Sequence, residues 1–338
     1  MNDSRYSRQI VYSNIGEKGQ QKLLNSSIAI IGMGALGTVS ANNLCRAGVG
    51  RIKIIDRDYV ELSNLQRQTL YDEADVEDEK PKAIAAFEHL KKVNSSIEIE
   101  PIVSDVNSSN IEELIRGCDL VLDCTDNLEI RFLINEACDR HRIPWIYCGA
   151  VGSTGMTMNI LPGITPCFRC FMSDDDATQS HASCNTVGVL NMITNIMASI
   201  QSTEAIKILL GSEDIRKTLF FMDVWHNSAE YLEVGRNEKC PVCGEHHYTY
   251  LDQAVGSYTT SLCGRNEIQV IPMKKANIDF DSLSKSLERL GDVKYTNFML
   301  KFTDGNIGIK LFRDGRAIIE NAKDANNAKS IYSEYFGL

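Results

Sequence analysis

The chain has no long apolar run. Its 338 residues contain no uninterrupted hydrophobic stretch of the ~18–20 residues that a transmembrane helix needs. The N-terminal sequence MNDSRYSRQI lacks the apolar core of a signal peptide. An excess of positive charge is also absent, since the formal net charge is −10. We therefore expect no membrane partner and no nucleic-acid partner, although a local basic pocket for a triphosphate is compatible with this charge.

Cysteine, in contrast, is abundant. Eleven cysteines occur in a chain without a recognisable secretion signal, which is typical of thiols and metal ligands in a reducing compartment. The predicted location is therefore the cytoplasm. The length leaves room for one large α/β domain and something smaller.

The most informative stretch covers residues 28–56, IAIIGMGALGTVSANNLCRAGVGRIKIID. A short apolar run meets Gly32, Gly34 and Gly37 in G-x-G-x-x-G spacing. A helical pattern follows, and then a second apolar run that ends on Asp56. This order predicts a βαβ unit whose first turn brings a nucleotide phosphate to a helix N-terminus, with Asp56 placed to bind ribose hydroxyls. The alternative is a close-packed turn without a ligand.

A polar segment follows Asp56, and this segment contains Asn64 and Arg67. A Rossmann dehydrogenase would instead continue directly into a helix at this point. The next helical pattern has Pro81 and Lys82 in its first turn. Lysine at a helix N-terminus opposes the helix dipole, so we expect Lys82 to have an anionic partner. A solvated lysine is the alternative.

Alternating apolar runs predict further strands at residues 97–103, 120–124, 144–148 and 155–161. The second of these runs, residues 120–124, leads into the sequence DCTDN, which contains Asp126. Sheets of α/β proteins bind ligands at strand C-termini, and an acid there commonly holds Mg²⁺ against nucleotide phosphates. The alternative is an N-cap, because Asp126 or Asn127 could cap the helix predicted next.

Two C-x-x-C pairs follow the α/β region. Each pair offers two thiolates on a tight turn, and together they complete a tetrahedral site. We therefore predict structural Zn²⁺ bound by Cys167, Cys170, Cys240 and Cys243. A closed four-thiolate site has no open position for catalysis, so its expected role is to clamp the chain.

Between the two pairs, a polar acidic segment ends at Cys184 and a long apolar helix is predicted over residues 185–211. This position puts Cys184 near a helix N-terminus, where the dipole lowers the pKa of a thiol and favours a nucleophilic thiolate. The alternative is a bystander thiol.

The predicted fold is α/β, a Rossmann-like and mostly parallel sheet extended by antiparallel strands and clamped by zinc. The expected domains are residues 1–248 and a small α+β appendage at residues 249–338, for which stability or partner docking is the predicted role.

Six motifs occur together: RYSRQ, GMGALG, SNLQRQ, DCTDN, the paired C-x-x-C sequences and CNTVGV. In this combination the chain resembles the bacterial ThiF/MoeB/HesA adenylyltransferases, relatives of the ubiquitin-activating enzymes. The likeness covers residues 5–245, and the tail is similar to that of longer ThiF-type proteins from Gram-positive bacteria. The resemblance implies adenylylation, with Mg²⁺ and ATP, of the C-terminal Gly-Gly carboxylate of a ubiquitin-like sulfur carrier of ThiS or MoaD type. It also implies a sulfur donor such as a cysteine desulfurase and a role in thiamine thiazole synthesis.

The resemblance further implies residue roles. Cys184 matches the cysteine that ThiF uses for sulfur transfer. Arg8 is expected to reach the triphosphate of a neighbouring subunit, which implies a homodimer with composite sites. The residues implied in holding ATP and its Mg²⁺ are Gly32, Gly34, Gly37, Asp56, Asn64, Arg67, Lys82 and Asp126.

Several other functions compete with this interpretation. They are a MoeB-type adenylyltransferase without a catalytic cysteine, a non-catalytic nucleotide-binding scaffold, an NAD-dependent oxidoreductase, and a related enzyme acting on tRNA or a peptide antibiotic precursor. An oxidoreductase leaves SNLQRQ, RYSRQ and the cysteine pairs unexplained.

Overall fold

The structure is a computed structural model that describes residues 5–173, 187–253, 258–261, 267–272 and 278–336. The chain divides into two compact units. The first contains Met1–Val76 and Lys80–Gln253, and the second contains Glu77–Glu79 and Ala254–Leu338.

The first unit is built on an eight-stranded sheet with the strand order β3-β2-β1-β4-β5-β6-β7-β8. Strands β3, β2, β1, β4 and β5 are parallel, and β6, β7 and β8 extend the sheet as antiparallel strands. The bounds are β1 Ser27–Ile31, β2 Arg51–Asp56, β3 Glu98–Val103, β4 Leu120–Asp123, β5 Trp145–Val151, β6 Thr154–Ile160, β7 Leu219–Asp223 and β8 Ser228–Leu232. This arrangement confirms the predicted fold class.

Helices cover both faces of this sheet. They are α1 Ser7–Val11, α2 Gly16–Leu24, α3 Ala35–Ala47, α4 Glu73–Glu77, α5 Lys82–Val93, α6 Ile111–Ile115, α7 Leu128–His141 and α8 Asn191–Leu210. Alternate residues of β1 point into two different cores, Ile28 and Ile30 into one and Ala29 and Ile31 into the other. Burial on both faces explains why the central strands read as continuous apolar runs in the sequence.

The long helix α8 begins later than the sequence indicates. Gly188 has a φ of +81°, and Val189 forms a parallel bridge with Gly152. Hydrogen bonds of 2.8 Å join Gly152 N to Gly188 O and Leu190 N to Gly152 O. The prediction of helix over residues 185–211 is therefore wrong at residues 188–190, because the backbone there pairs with Gly152, the residue after β5, and the helix begins at Asn191.

The second unit contains a six-stranded antiparallel sheet in the order β11-β12-β13-β14-β10-β9. Apolar residues of this sheet and of two helices, among them Phe280, Leu300, Phe302 and Ile319, form its core. The bounds are β9 Tyr258–Ser261, β10 Glu267–Ile271, α9 Phe280–Leu287, β11 Asp292–Tyr295, β12 Met299–Thr303, β13 Gly308–Phe312, β14 Ala317–Glu320 and α10 Ala325–Phe336. The predicted α+β appendage is present, with two strands, β9 and β11, that the sequence patterns did not reveal. None of the helices described in either unit is long and apolar enough to cross a membrane.

Candidate active site

The glycine turn after β1 requires two of its glycines for packing. Gly32 has a φ of +93°, and a Cβ there would lie 2.7 Å from the carbonyl oxygen of Cys124. A Cβ at Gly37 would lie 1.9 Å from the carbonyl oxygen of Gly32. Both distances are shorter than any allowed contact, so these glycines let α3 and β4 pack closely against the turn.

Gly34 has a different environment. It is the N-cap of α3, and the nearest atom to a Cβ built there is Gln68 Nε2, 3.9 Å away. The space beside Gly34 is therefore open at the N-terminus of a 13-residue helix. Exposed N–H groups and the helix dipole make such a position suitable for an anion such as a phosphate.

Asp56 holds the glycine turn in place. Its Oδ2 accepts a hydrogen bond from Met33 N at 2.6 Å, and its Oδ1 accepts one from Asp58 N at 2.7 Å. Burial raises the pKa of Asp56, and the Lys82 ammonium opposes this effect. The carboxylate thus organises the backbone at the site, while its expected contact with ribose stays a prediction.

Lys82 is the first residue of α5, and Pro81 precedes it as the N-cap. Its side chain is buried, and Nζ lies 3.3 Å from Asp58 Oδ2, which confirms the expected anionic partner. Burial lowers the pKa of Lys82, but the carboxylates of Asp58, Asp56 and Asp126 outweigh it and the net pKa is raised. Lys82 therefore carries a positive charge at the site. Sequence reasoning missed Asp58, for which the only local signal was an acid two residues after Asp56.

Asn64 and Arg67 lie on the polar segment after β2. Asn64 is buried in a 3₁₀ turn, where its Oδ1 accepts a hydrogen bond from Glu61 N at 3.2 Å. Arg67 donates to the carbonyl oxygen of Ser63 at 3.0 Å. In the same segment, the buried Oε1 of Gln68 has no hydrogen-bond partner among the described residues, and Nε2 of the same amide is the atom nearest to a Cβ built at Gly34.

The sequence DCTDN was predicted to provide either a metal ligand or a helix N-cap, and the structure shows which residue is the cap. Asn127 is the N-cap of α7, because its side chain accepts a hydrogen bond from Ile130 N at 3.2 Å. Asp126 is exposed, and its charge acts on Lys82 and on Arg131. The capping role therefore belongs to Asn127, and metal binding by Asp126 stays a prediction.

Arg131 is a partly buried cation that the sequence patterns did not single out. Its Nε lies 3.1 Å from Asp123 Oδ2, and one terminal nitrogen donates to Thr125 O at 2.5 Å. Burial lowers the pKa of Arg131, but the Asp123 carboxylate outweighs this and the net pKa is raised. Arg131 fixes the loop that carries Asp126.

Strand register brings these groups to one edge. Ile31, the last residue of β1, pairs with Ile55 on one side and with Asp123 on the other. The glycine turn, Asp56 and the loop carrying Asp126 therefore follow three adjacent parallel strands at their C-terminal ends. In open α/β sheets this edge is where ligands bind.

The four paired cysteines also converge. Their sulfur atoms all lie within 4.8 Å of one another. The separations are 3.9 Å for Cys167–Cys170, 3.6 Å for Cys167–Cys240 and 3.5 Å for Cys170–Cys243. Tetrahedral zinc with Zn–S bonds of ~2.3 Å requires sulfur atoms about 3.8 Å apart. The cluster is therefore compatible with zinc.

Two predicted site residues are not brought to this edge by the described part of the structure. Arg8 is exposed on α1, and Cys184 lies outside the described residues. The helix α8 begins at Asn191, and the role of Cys184 stays a prediction.

A sequence model of the ThiF family matches residues 6–242. The chain belongs to the ThiF family. It is 40% identical to a sulfur carrier protein ThiS adenylyltransferase of Bacillus subtilis, over 98% of this chain and 99% of that protein. A protein of the same description from Escherichia coli is 38% identical over 72% of this chain and 97% of its own length. The crystal structure of Escherichia coli MccB with ATP superposes with a TM-score of 0.63 at 25% identity, covering 72% of this chain and 75% of that one.

The two relatives match different shares of this chain. The Escherichia coli protein is matched over almost its whole length by 72% of this chain, whereas the Bacillus subtilis protein is matched over 99% of its length by 98% of this chain. The ThiF match ends at residue 242, before the second unit's main segment begins at Ala254. The second unit is therefore an addition to the family fold.

We expect purified, metal-replete protein to contain one zinc per chain that survives dialysis, because four thiolates form a closed site. Replacing Cys167 with serine should lower the melting temperature more than the specific activity of the folded fraction, since the site has no catalytic position. Metal analysis and calorimetry measure both quantities. Absence of stoichiometric zinc from the wild-type protein would overturn the zinc clamp.

Proposed function

We propose that the chain uses ATP to adenylylate the C-terminal Gly-Gly carboxylate of a ubiquitin-like sulfur carrier of ThiS type, with release of pyrophosphate. The observation that carries this proposal is the meeting of Gly34, Lys82 and Asp126 at one sheet edge, in a chain 40% identical end to end to a ThiS adenylyltransferase. A MoaD-type carrier is the close alternative.

The reaction fits these residue types. The nucleophile is an ionised carboxylate, so no general base is needed. Rate enhancement must come from aligning that carboxylate with the α-phosphate and from neutralising charge on the leaving pyrophosphate. Lys82, with its raised pKa, supplies such charge, and the open N-terminus of α3 at Gly34 supplies N–H donors. Asn64 and Arg67 complete the proposed phosphate contacts.

The chain also contains side chains suited to binding Mg²⁺ and Zn²⁺. Asp126 offers an exposed carboxylate that does not cap α7, and oxygen ligands of this kind suit Mg²⁺. When bound, Mg²⁺ supplies positive charge to the triphosphate. Cys167, Cys170, Cys240 and Cys243 form the proposed zinc site. The thiols of this cluster need a reducing compartment, which favours the cytoplasm.

The docking of α1 supports a homodimer with shared sites. Gln9 Nε2 and Gln20 Nε2 both donate to the carbonyl oxygen of Ala47, at 2.8 Å and 3.0 Å, and Ala47 is the last residue of α3. The open space at Gly34 is at the other end of that helix, about 20 Å away at 1.5 Å per residue. Gln9, the neighbour of Arg8, therefore anchors α1 at the end of α3 that lies away from the glycine turn. This position supports the proposal that Arg8 acts at the site of a second subunit.

The sulfur-transfer step is proposed for Cys184. The acyl adenylate joins the carrier carboxylate to AMP. A Cys184 thiolate displaces AMP to form a thioester, whereas a Cys184 persulfide displaces AMP to form an acyl disulfide, from which a second thiol releases the thiocarboxylate by attacking the cysteine sulfur and forming a disulfide with it. A persulfide sulfur must come from a separate donor such as a cysteine desulfurase. Without this step, the chain is a MoeB-type adenylyltransferase only.

Replacing Asp126 with alanine should abolish carrier-dependent ATP–pyrophosphate exchange and leave the fold intact. The reason is the loss of the proposed Mg²⁺ ligand, which leaves triphosphate charge unneutralised. Circular dichroism controls for folding. Exchange near the wild-type rate would remove Asp126 from the metal role.

Mixing two inactive variants tests the shared site. Arg8→Ala and Asp126→Ala protein should each be inactive, but a mixed dimer contains one site that lacks both defects. Co-expression with two different affinity tags isolates this heterodimer. Recovered exchange activity is the expected result, and an inactive verified heterodimer contradicts action of Arg8 across subunits.

Replacing Cys184 with serine separates the two chemical steps. Adenylylation needs only carboxylate, ATP and cations, so pyrophosphate exchange should stay near the wild-type rate. Thiocarboxylate formation on the carrier should be lost, because the sulfur nucleophile is missing. Mass spectrometry of the carrier measures this product. Formation at the wild-type rate from an external persulfide donor would make Cys184 a bystander and leave the chain an adenylyltransferase only.

A further inference from the structure

Tyr71 lies just after the SNLQRQ sequence and has no part in the function proposed above. Its side chain is buried, and its hydroxyl oxygen lies 2.7 Å from the carbonyl oxygen of Met33 and 3.1 Å from that of Lys82. A hydroxyl has one proton, so it donates to one carbonyl at a time, and Met33 is the nearer acceptor. Tyr71 thus links the glycine turn to the start of α5.

The carbonyl of Met33 and the N–H of Gly34 belong to one peptide group. In a trans peptide the C=O and N–H bonds point in opposite directions. When Tyr71 holds the carbonyl of Met33 on the buried side, the Gly34 N–H is directed to the other side. The preceding peptide group is also held, because Met33 N donates to Asp56 Oδ2 at 2.6 Å. Both peptide groups that flank Met33 therefore have a fixed orientation.

The Gly34 N–H has no protein acceptor within the part of the chain that the structure describes. The space beside Gly34 is open, and the nearest atom to it is Nε2 of Gln68, whose buried Oε1 lacks a partner among the described residues. An N–H oriented by two anchored peptides, but without an acceptor of its own, is suited to an anionic ligand.

We propose that Tyr71 is a positioning residue for the nucleotide, whose hydroxyl orients the Gly34 N–H toward a phosphate group of ATP. The proposal rests on ATP use by the proposed function and deepens it, because it assigns nucleotide affinity to a residue that does not touch the nucleotide. Loss of the hydroxyl frees the Met33–Gly34 peptide to rotate and recover another hydrogen bond for the carbonyl.

The test is Tyr71→Phe in the full-length protein, which removes a single oxygen atom. The dissociation constant for ATP should rise about tenfold, as expected for losing an oriented hydrogen bond to a charged group. The KM for ATP should rise similarly while kcat at saturating ATP stays within about twofold, because the contact is made in both the ground state and the transition state.

Tyr332→Phe is the matched control. Tyr332 is also buried, and its hydroxyl donates to the carbonyl oxygen of Gly315 at 2.6 Å in the second unit. Both variants should lower the melting temperature, since each leaves a buried carbonyl without its donor. Only Tyr71→Phe should weaken ATP binding. Equal ATP affinity of Tyr71→Phe and wild-type protein would show a merely structural role and overturn the proposal.

If Tyr71→Phe does not fold, a measurement on the wild-type protein tests whether the Gly34 N–H contacts ATP, as the proposal requires. With glycine-selective ¹⁵N labelling, the amide resonance of Gly34 should shift strongly on adding ATP, and an unchanged resonance at saturation overturns the proposal. If wild-type protein binds ATP but shows no carrier-dependent exchange, the proposed function fails while ATP affinity still decides the role of Tyr71. If wild-type protein binds no ATP, both proposals are overturned.

Discussion

Close packing of α3 against β1 and β4 is the constraint on which the site depends. A Cβ at Gly37 would overlap the carbonyl of Gly32, and a Cβ at Gly32 would overlap that of Cys124. Without side chains at these two positions, the N-terminus of α3 can sit directly at the C-terminal edge of the sheet. The third glycine, Gly34, then has open space rather than protein beside it. The same turn therefore combines tight packing on one side with room for a ligand on the other.

The C-terminal edge of the sheet holds fixed positive charges, although the chain as a whole is acidic. The formal net charge is −10, yet the edge holds two cations with raised pKa values, the buried Lys82 and the partly buried Arg131. Burial alone would favour the neutral form of Lys82, and the carboxylates of Asp58, Asp56 and Asp126 reverse that preference. Charge that is already present and held in place needs little reorganisation when a phosphate group arrives, which is the arrangement that phosphoryl chemistry requires.

Local sequence patterns predicted much of this architecture. The glycine spacing indicated the βαβ unit, the strand and helix patterns indicated the order of elements, and the two C-x-x-C pairs indicated a four-sulfur cluster. Patterns failed where a segment pairs with a distant one. The start of α8 is an example, because Gly188 to Leu190 bond to Gly152 and so do not continue the helix. Strands β7 and β8 were also missed, and both are held by antiparallel pairing within the sheet.

The sequence by itself determined the turn chemistry, the cysteine spacing and the set of polar residues that end the central strands. Only the tertiary structure decided how those residues are used. In the tertiary structure Asn127 caps α7, and Asp126 is exposed. The fold also pairs Lys82 with Asp58, which lies 24 residues earlier, and it brings Tyr71 to Met33, 38 residues away. The physical reason is that periodicity and capping report local preference, whereas contacts across the site depend on strand order and register, which no short stretch of sequence specifies.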